Sequence, residues 1–454
     1  MNVATFDRKP RNPRKSDSQI IRRTLDDTLL LAYTGGLETP AYVYDMTVIE
    51  GRFRTLRAAF PGLGIRYAVK ANPHPAVLRT LLHCGALIDA SSIGEVRRAL
   101  KAGARSENIS FTGPGKRACE IDEAVASGIG HLVVESLHQA EQTNAAALRR
   151  GVVQSVLTRI SPATSPKGFG ARMTGVATQF GIDEEEAPDA LAEIAAMPGL
   201  ALDGLHFYAG SNSLDAGAIG ANMQNCVDLA RGLVTMLGRP PKRLIFGSGF
   251  GVPYHDGQAE LCLAEVASLV LAALAKVQGT GQVAIDLELG RWLVAPAGQL
   301  LTRVLTRKSG RGSTIVICDG GFNAHLAACG MMGSVVRRNW PIRNLTTPDG
   351  AREKVTVAGP LCTSIDLLAR DLDIAHAGFG DVLSVGLSGA YGATASPAGF
   401  ISHPQVRELI WDGAALRDET PGDLSMPVRV EPLMADPLPA VLAPTEPLLA
   451  GALA

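Results

Sequence analysis

The sequence predicts an α/β fold: a (β/α)8 TIM-like barrel followed by a C-terminal, mostly antiparallel β domain. Three observations predict it. Eight short β-branched or aromatic runs alternate with amphipathic helical patterns, as they do in parallel α/β architectures. Polar and glycine residues gather at the C-terminal ends of those runs, where a barrel builds its site. Beyond Arg291 the strands become closely spaced with turn residues between them. A doubly wound sheet would not account for chemistry spread over so many strand ends.

Residues 1–37 are expected as an N-terminal arm, partly disordered; seven of the residues from Arg8 to Arg23 are basic, a pattern that fits a solvated arm. The apolar run AYVYD (41–45) precedes the first barrel helix and is expected as a strand. The barrel, assigned to 38–291, takes its strands from IRYAV (65–69), ALID (86–89), ISFT (109–112), HLVVE (131–135), SVLTRI (155–160), LDGLHFY (202–208), KRLIFG (242–247) and VAIDLEL (283–289). Between them PAVLRTLLHCG, GEVRRALKAGA and LHQAEQTNAAALRR repeat apolar residues every three or four positions, which makes one helical face apolar. The β domain, 292–430, includes QLLTRVLTR, TIVICDGG, REKVTVAGP and GDVLSVGL, and a Pro/Ala/Leu-rich flexible tail follows over 431–454.

Charge and composition exclude several classes. Across 454 residues, 43 Lys+Arg face 44 Asp+Glu, so the basic domain of a nucleic-acid binder is missing. With 46% hydrophobic and 19% charged residues the chain is too apolar to be disordered. No apolar run of 18 residues suggests a membrane span, and the first residues lack a signal-peptide core, so a cytoplasmic home is expected. Seven Cys without short paired spacing and nine His without ligand spacing leave neither a disulfide framework nor a metal site. Glycine, at 49 residues, exceeds the usual share of roughly 7% and points to tight turns and close backbone approaches.

The strand ends carry Lys70, Asp89, Arg159, His206, Tyr208, the loop GSGFGVPY (247–254), and Glu288 with Arg291. A glycine loop after the seventh barrel strand stands where barrels bind phosphate, whereas a dinucleotide fingerprint belongs at the first βα turn. Arg291, from the next strand end, is a natural phosphate partner. Lys70 ends YAVK across the mouth; a desolvated amine there is expected to have a depressed pKa and to form a Schiff base. An aldehyde bearing a phosphate satisfies both demands, and pyridoxal 5'-phosphate is such a molecule. Glu288 then fits the pyridine nitrogen, and His206 and Tyr208, two apart on one strand, share a side on which an aromatic ring stacks. Taken singly, Lys70 and Glu288 also suit surface charges, and His206 a satisfied core histidine.

The stretches YAVKANPHP, LIDASSIGE, GLHFYAGS, FGSGFGVPY, ELGRWLVA, GPLCTSID and SGAYGATAS resemble, in order, the fold-type III pyridoxal-phosphate decarboxylases, the ornithine and diaminopimelate decarboxylase family. The resemblance implies an alanine racemase/ornithine decarboxylase-like fold and a homodimer with shared active sites. It implies Lys70 as the Schiff-base lysine and Glu288 as partner of the pyridine nitrogen. Gly247, Ser248, Gly249, Arg291, Ser211 and Tyr391 would hold the phosphate, with Asp89 and Glu95 near the lysine. Cys362 would reach in from the other subunit to protonate the substrate α-carbon; its alternative is a buried structural thiol.

The sequence departs from the family at three places. Leu289 replaces a proline; the family's ring-stacking histidine falls at Tyr208, with His206 two residues earlier; and the acidic residue that follows the catalytic Cys is Thr363. The last change disfavours ornithine, lysine and diaminopimelate, whose distal ammonium needs a carboxylate. KGFGARMTGVATQFGID, DGGFNAHLAACG, VVRRNWPI and SPAGFISHP resemble the branch with the butirosin-pathway decarboxylase and the exosortase-associated decarboxylases. That likeness implies glutamate carried on an acyl carrier protein, with Arg337 and Arg338 either meeting a carboxylate or a phosphopantetheine phosphate or standing as solvated surface charges, and with Thr363 and Asp366 on the substrate side. The expected activity is α-decarboxylation of an L-amino acid, free or carrier-bound, in secondary metabolism. The alternatives are a basic-amino-acid decarboxylase, a racemase of the same fold type and a catalytically silent homologue.

Overall fold

The computed structural model describes residues 25–34, 36–164, 167–278, 283–330 and 338–422. The basic stretch from Arg8 to Arg23 and the tail 431–454 lie outside the described residues. Strand β1 (Ala41–Asp45) comes first, and the eight barrel strands follow: β2 (Gly64–Ala68), β3 (Leu87–Ala90), β4 (Ile109–Phe111), β5 (His131–Val134), β6 (Gln154–Ser161), β7 (Leu200–Phe207), β8 (Arg243–Gly247) and β9 (Ala284–Leu289). All eight pair in parallel in chain order, and β9 returns to β2 with Asp286 opposite Gly64, which closes the ring. These are the eight runs the sequence marks, shifted by two residues at most at either end.

Helices α1 (Asp27–Thr34) and α2 (Met46–Ala59) precede β2, and α3 (Pro75–His83), α4 (Ile93–Lys101), α5 (Ala118–Ala126), α6 (Leu137–Arg149), α7 (Ala187–Ala196), α8 (Ala216–Leu237) and α9 (Leu263–Gln278) each follow a strand. Local chemistry sets their starts. Ser92 and Ser136, in extended backbone, accept through their hydroxyls from the third amide of α4 and α6. Asp215 caps α8 in the same way, and Gly238 ends that helix in the left-handed region.

Side chains that alternate along the strands fill the barrel in layers. At the N-terminal end Asp286, 2% exposed, accepts from Arg66 Nη2 at 2.7 Å and from Arg243 Nη1 at 2.6 Å. Arg66 Nη1 also donates to the Ile88 carbonyl at 2.8 Å, so one guanidinium ties β2, β3 and β9 together. Room for this layer comes from Gly64, where a Cβ would collide with the Asp286 carboxylate. Above it Val133, Leu157 and Ile245 form a small apolar group distinct from the main core. The top layer holds the polar strand ends.

Beyond the barrel lie β10 (Gly298–Gly310), β11 (Ser313–Cys318), β12 (Arg352–Ala358), β13 (Leu367–Ala375), β14 (Val382–Val385) and β15 (Arg407–Trp411). Their sheet is mostly antiparallel, with β11–β12 and β1–β15 as parallel pairs. β1 therefore belongs to this sheet, between β10 and β15, although it precedes the barrel in sequence. Helix α1 packs Leu30 against Val43, Leu301 and Trp411. The sheet reaches the barrel mouth through the loop after β14: the Tyr391 amide donates to the Ala71 carbonyl at 2.8 Å, and Asn72 Nδ2 to the Gly389 carbonyl at 3.0 Å.

The lower ionic layer makes a prediction. Asp286→Ala leaves the buried Arg66 guanidinium and the half-buried one of Arg243 without their carboxylate and should lower unfolding stability by about 3 kcal/mol, read by urea denaturation. A loss under about 1 kcal/mol would show that the layer is solvated.

Candidate active site

Four strand ends bring Lys70, Asp89, His206 and Glu288 together. Lys70 lies in a single 3-10 turn (Val69–Ala71) directly after β2. Its Nζ is 3.9 Å from Glu288 Oε1 and 4.9 Å from the centre of the Tyr208 ring. Glu288 is 1% exposed, and its Oε2 lies 2.8 Å from His206 Nε2. An ionised carboxylate only accepts, so the hydrogen sits on Nε2. Asp89 Oδ1 accepts from Ser110 Oγ at 2.8 Å and Thr112 Oγ1 at 2.5 Å, while Oδ2 has no partner among the described residues.

The charges divide these groups by sign. Burial would raise the Glu288 pKa, but the His206 hydrogen bond and the Lys70 charge outweigh it and hold the carboxyl below its usual range. Asp89 moves the other way, raised by burial and then by the Glu288 charge. For Lys70, burial disfavours the ammonium, yet Tyr208, Glu288, Tyr391 and Asp89 together raise its pKa above the ordinary lysine value. This corrects the depressed amine expected from the sequence. Desolvation is present, but Tyr208 first, and then Glu288, Tyr391 and Asp89, overrule it.

On the other side of the mouth stands the glycine loop after β8. At Gly247 a Cβ would strike the Tyr208 ring, so the absence of a side chain lets that ring lie on the strand end. Gly249 has φ +67°, and a Cβ there would strike the Phe169 ring. Ser248 Oγ is buried without a partner among the described residues. Arg291 opens a short helix (Arg291–Val294); its Nη1 donates to Tyr254 Oη at 2.9 Å, and its Nε has no described partner. The guanidinium carbon lies 4.6 Å from the Tyr391 ring centre. Ser211 is buried at the edge of the same cavity. Unpaired buried donors on this side suit a phosphate, and a lysine beside a buried carboxylate suits an aldehyde and a pyridine nitrogen. The residues present therefore fit pyridoxal 5'-phosphate.

These groups surround a cavity of about 580 Å³. Its charged lining consists of Lys70, Arg159, Arg291 and Arg338, and no carboxylate lines it among the described residues. Arg159 is fixed from behind: its Nη1 donates to Glu135 Oε2 at 2.9 Å, and its guanidinium lies 4.7 Å from the Phe180 ring centre. Glu135 also accepts from the Gly113 amide at 2.7 Å and the Gly181 amide at 3.1 Å, which joins two loops to β6. Trp340 stacks on Tyr254 with centroids 4.3 Å apart and forms the outer wall. Tyr254, Glu135 and Trp340 are additions that the sequence reading did not single out. Tyr254 closes the quoted loop, and Glu135 ends a predicted strand in the manner of Asp89, whereas nothing local marks Trp340.

The remaining candidates lie elsewhere. Glu95 accepts from the Ser91 amide at 2.6 Å, and its carboxyl is pushed up to about 7 by burial, with Asp89 adding to the shift. Cys362 is exposed and Thr363 half-buried on the loop 359–366, and neither lines the cavity of its own chain. Asp366 has both oxygens engaged by backbone amides, Phe322 at 2.5 Å and Leu361 at 2.7 Å, and serves as the base of that loop. Arg337 lies outside the described residues, while Arg338 is on the cavity wall.

Residues 46–295 match the family described as Pyridoxal-dependent decarboxylase, pyridoxal binding domain. The chain is 34% identical over 393 residues to the L-glutamyl-(BtrI acyl-carrier protein) decarboxylase of Niallia circulans, covering 85% of this chain and 92% of that protein. It is 33% identical over 385 residues to a diaminopimelate decarboxylase of Helicobacter pylori, covering 84% and 92%. The crystal structure of a Helicobacter pylori diaminopimelate decarboxylase complexed with L-lysine superimposes with a TM-score of 0.78 at 30% identity, over 86% of this chain and 95% of that one. The chain thus belongs to the fold-type III pyridoxal-phosphate-dependent decarboxylases, and its cofactor is pyridoxal 5'-phosphate.

Proposed function

We propose that this chain removes the α-carboxyl group of an L-amino acid whose far end carries no positive charge, the best-supported case being a glutamyl thioester on an acyl carrier protein. One observation carries the reading: the charged lining of the cavity is cationic throughout, with no carboxylate among the described residues. A distal ammonium would meet Arg338, which has no carboxylate partner among the described residues, and Arg159, whose charge Glu135 already engages from behind, while Thr363 follows Cys362 where an acid would be needed. Similarity to the L-glutamyl carrier-protein decarboxylase supports the same choice.

Bound in this site, pyridoxal 5'-phosphate supplies an electron sink for the pair left on the α-carbon as carbon dioxide departs. Lys70 is the residue that would hold the cofactor through its amine. Its neutral, nucleophilic form is disfavoured by Tyr208 and then by Glu288, Tyr391 and Asp89. Glu288, kept ionised by His206, holds a proton on the pyridine nitrogen. Ser211, Gly247, Ser248, Gly249, Arg291 and Tyr391 bind the phosphate. That Tyr208 flanks the ring, with His206 acting through Glu288, is supported by Tyr208 lining the cavity while His206 is buried against the carboxylate. Cys362 delivers a proton to the α-carbon in the site of a second copy of the chain. Its exposure, away from its own cavity wall, supports that placement.

Lys70→Ala should abolish both the imine absorbance and turnover; retained turnover would overturn its role. Cys362→Ala should slow turnover by about 10²-fold or more, with part of the product protonated at the wrong carbon. An unchanged rate and product would remove Cys362 from the chemistry. The function is tested by carbon dioxide release from ornithine, lysine, diaminopimelate, glutamate and glutamyl carrier protein. Release from the carrier conjugate supports the reading, and release from basic amino acids alone refutes it. Exchange of the α-hydrogen in deuterium oxide without carbon dioxide would identify a racemase instead.

A further inference from the structure

Beyond Trp340 the cavity mouth carries a second cluster of cations. Arg338 lines the cavity and is exposed, and Asn339 follows it with three contacts that fix the rim. The Asn339 carbonyl accepts from His255 Nδ1 at 3.1 Å. Its side chain is paired in both directions with the backbone of Arg370 on β13: Nδ2 donates to the Arg370 carbonyl at 2.7 Å, and Oδ1 accepts from the Arg370 amide at 3.0 Å. Arg370 is thereby tied through its backbone to the residue that follows Arg338, and its side chain is exposed.

Neither arginine has an ion-pair partner among the described residues. That sets them apart from exposed arginines such as Arg79, Arg97, Arg352 and Arg407, each of which is paired with a carboxylate. Two unneutralised guanidinium groups on an anchored backbone, at the open end of a cavity whose lining is already cationic, favour a doubly charged oxyanion. We infer that Arg338 and Arg370, fixed by Asn339, form a phosphate-binding site for the arm of a carrier-borne substrate. This rests on the thioester reading above. The amino-acid end lies near Lys70, the arm passes Trp340, and its phosphate meets the two arginines at the rim. His255 also lines the cavity, with its Nδ1 hydrogen donated to the Asn339 carbonyl.

The test compares two substrates of the holoenzyme: a glutamyl N-acetylcysteamine thioester, which lacks the phosphate, and a glutamyl phosphopantetheine thioester, which has it. Arg370→Ala should raise KM for the phosphorylated thioester about fivefold, leave kcat unchanged, and move KM for the phosphate-free one less than about twofold. Added salt should raise the wild-type KM for the phosphorylated thioester alone, and Arg370→Ala should flatten that dependence while Arg370→Lys restores it. Equal effects on both thioesters, or none on either, overturn the site. Dissociation of the protein into smaller species on Arg370→Ala would show the rim to be a contact between copies of the chain, which also overturns it. If the wild type releases carbon dioxide from free amino acids and from neither thioester, the functional reading fails and the site fails with it.

Discussion

The buried charge of Glu288 is the constraint on which the rest of this structure depends. A carboxylate 1% exposed is costly unless it is hydrogen-bonded and paired. Its two partners come from opposite directions around the ring: His206 from β7, two strands to one side, and Lys70 from β2, the neighbour on the other. β2 and β9 are neighbours only because the barrel closes; in an open sheet of the same strands they would be the two edges. The pairing of β9 with β2 therefore closes the fold and also creates the Lys70–Glu288 contact. Damage to either is damage to both.

The layers inside the barrel protect that arrangement. Arg66, Asp286 and Arg243 satisfy one another at the N-terminal end, and Val133, Leu157 and Ile245 lie between them and the mouth. Apolar side chains admit little water, so the charges above are not dissipated into the charges below. The field at Glu288 is then set by His206 and Lys70, and the same isolation raises the Asp89 carboxyl, which has Glu288 as a neighbour and an oxygen without a described partner. One site thus holds two carboxyls displaced in opposite directions. The difference lies in which of them has the cationic and hydrogen-bond partners.

Most of this was legible in the chain because strands repeat every two residues and barrels collect polar residues at one end. Lys70, Asp89, His206 and Glu288 each end an apolar run, and each reaches the same cluster. Contacts formed across long sequence separations were less legible. AYVYD reads as a strand, but its partners β10 and β15 begin more than 250 residues later, so no local pattern assigns it to the C-terminal sheet. The Lys70 pKa was misjudged for a related reason: burial can be inferred from neighbouring Ala and Val, whereas the groups that overrule it, Tyr208 first, come from elsewhere in the chain. Asp366, expected on the substrate side, holds the Phe322 and Leu361 amides through its two oxygens, contacts that no local pattern announces.

The floor and the outer wall of the cavity differ in what they can determine. Strand ends make the floor, and in the proposed reading their groups address the cofactor, whose aldehyde, pyridine nitrogen and phosphate are the same whichever amino acid is bound. The wall is made by Tyr254 and His255 from a loop and by Arg338 and Trp340 from the segment before the last part of the sheet. In the proposed reading the distal end of the substrate lies toward these residues and Arg159. The wall is not uniform in its coupling to the floor: Tyr254 accepts from Arg291 Nη1 at 2.9 Å and packs against Trp340, whereas Arg338 makes no described hydrogen bond to the floor, so a substitution at Arg338 disturbs the cofactor side less than one at Tyr254. Arg338 bears on substrate choice by charge: it has no carboxylate partner among the described residues, so it disfavours a distal ammonium beside it and favours an acyl or anionic end.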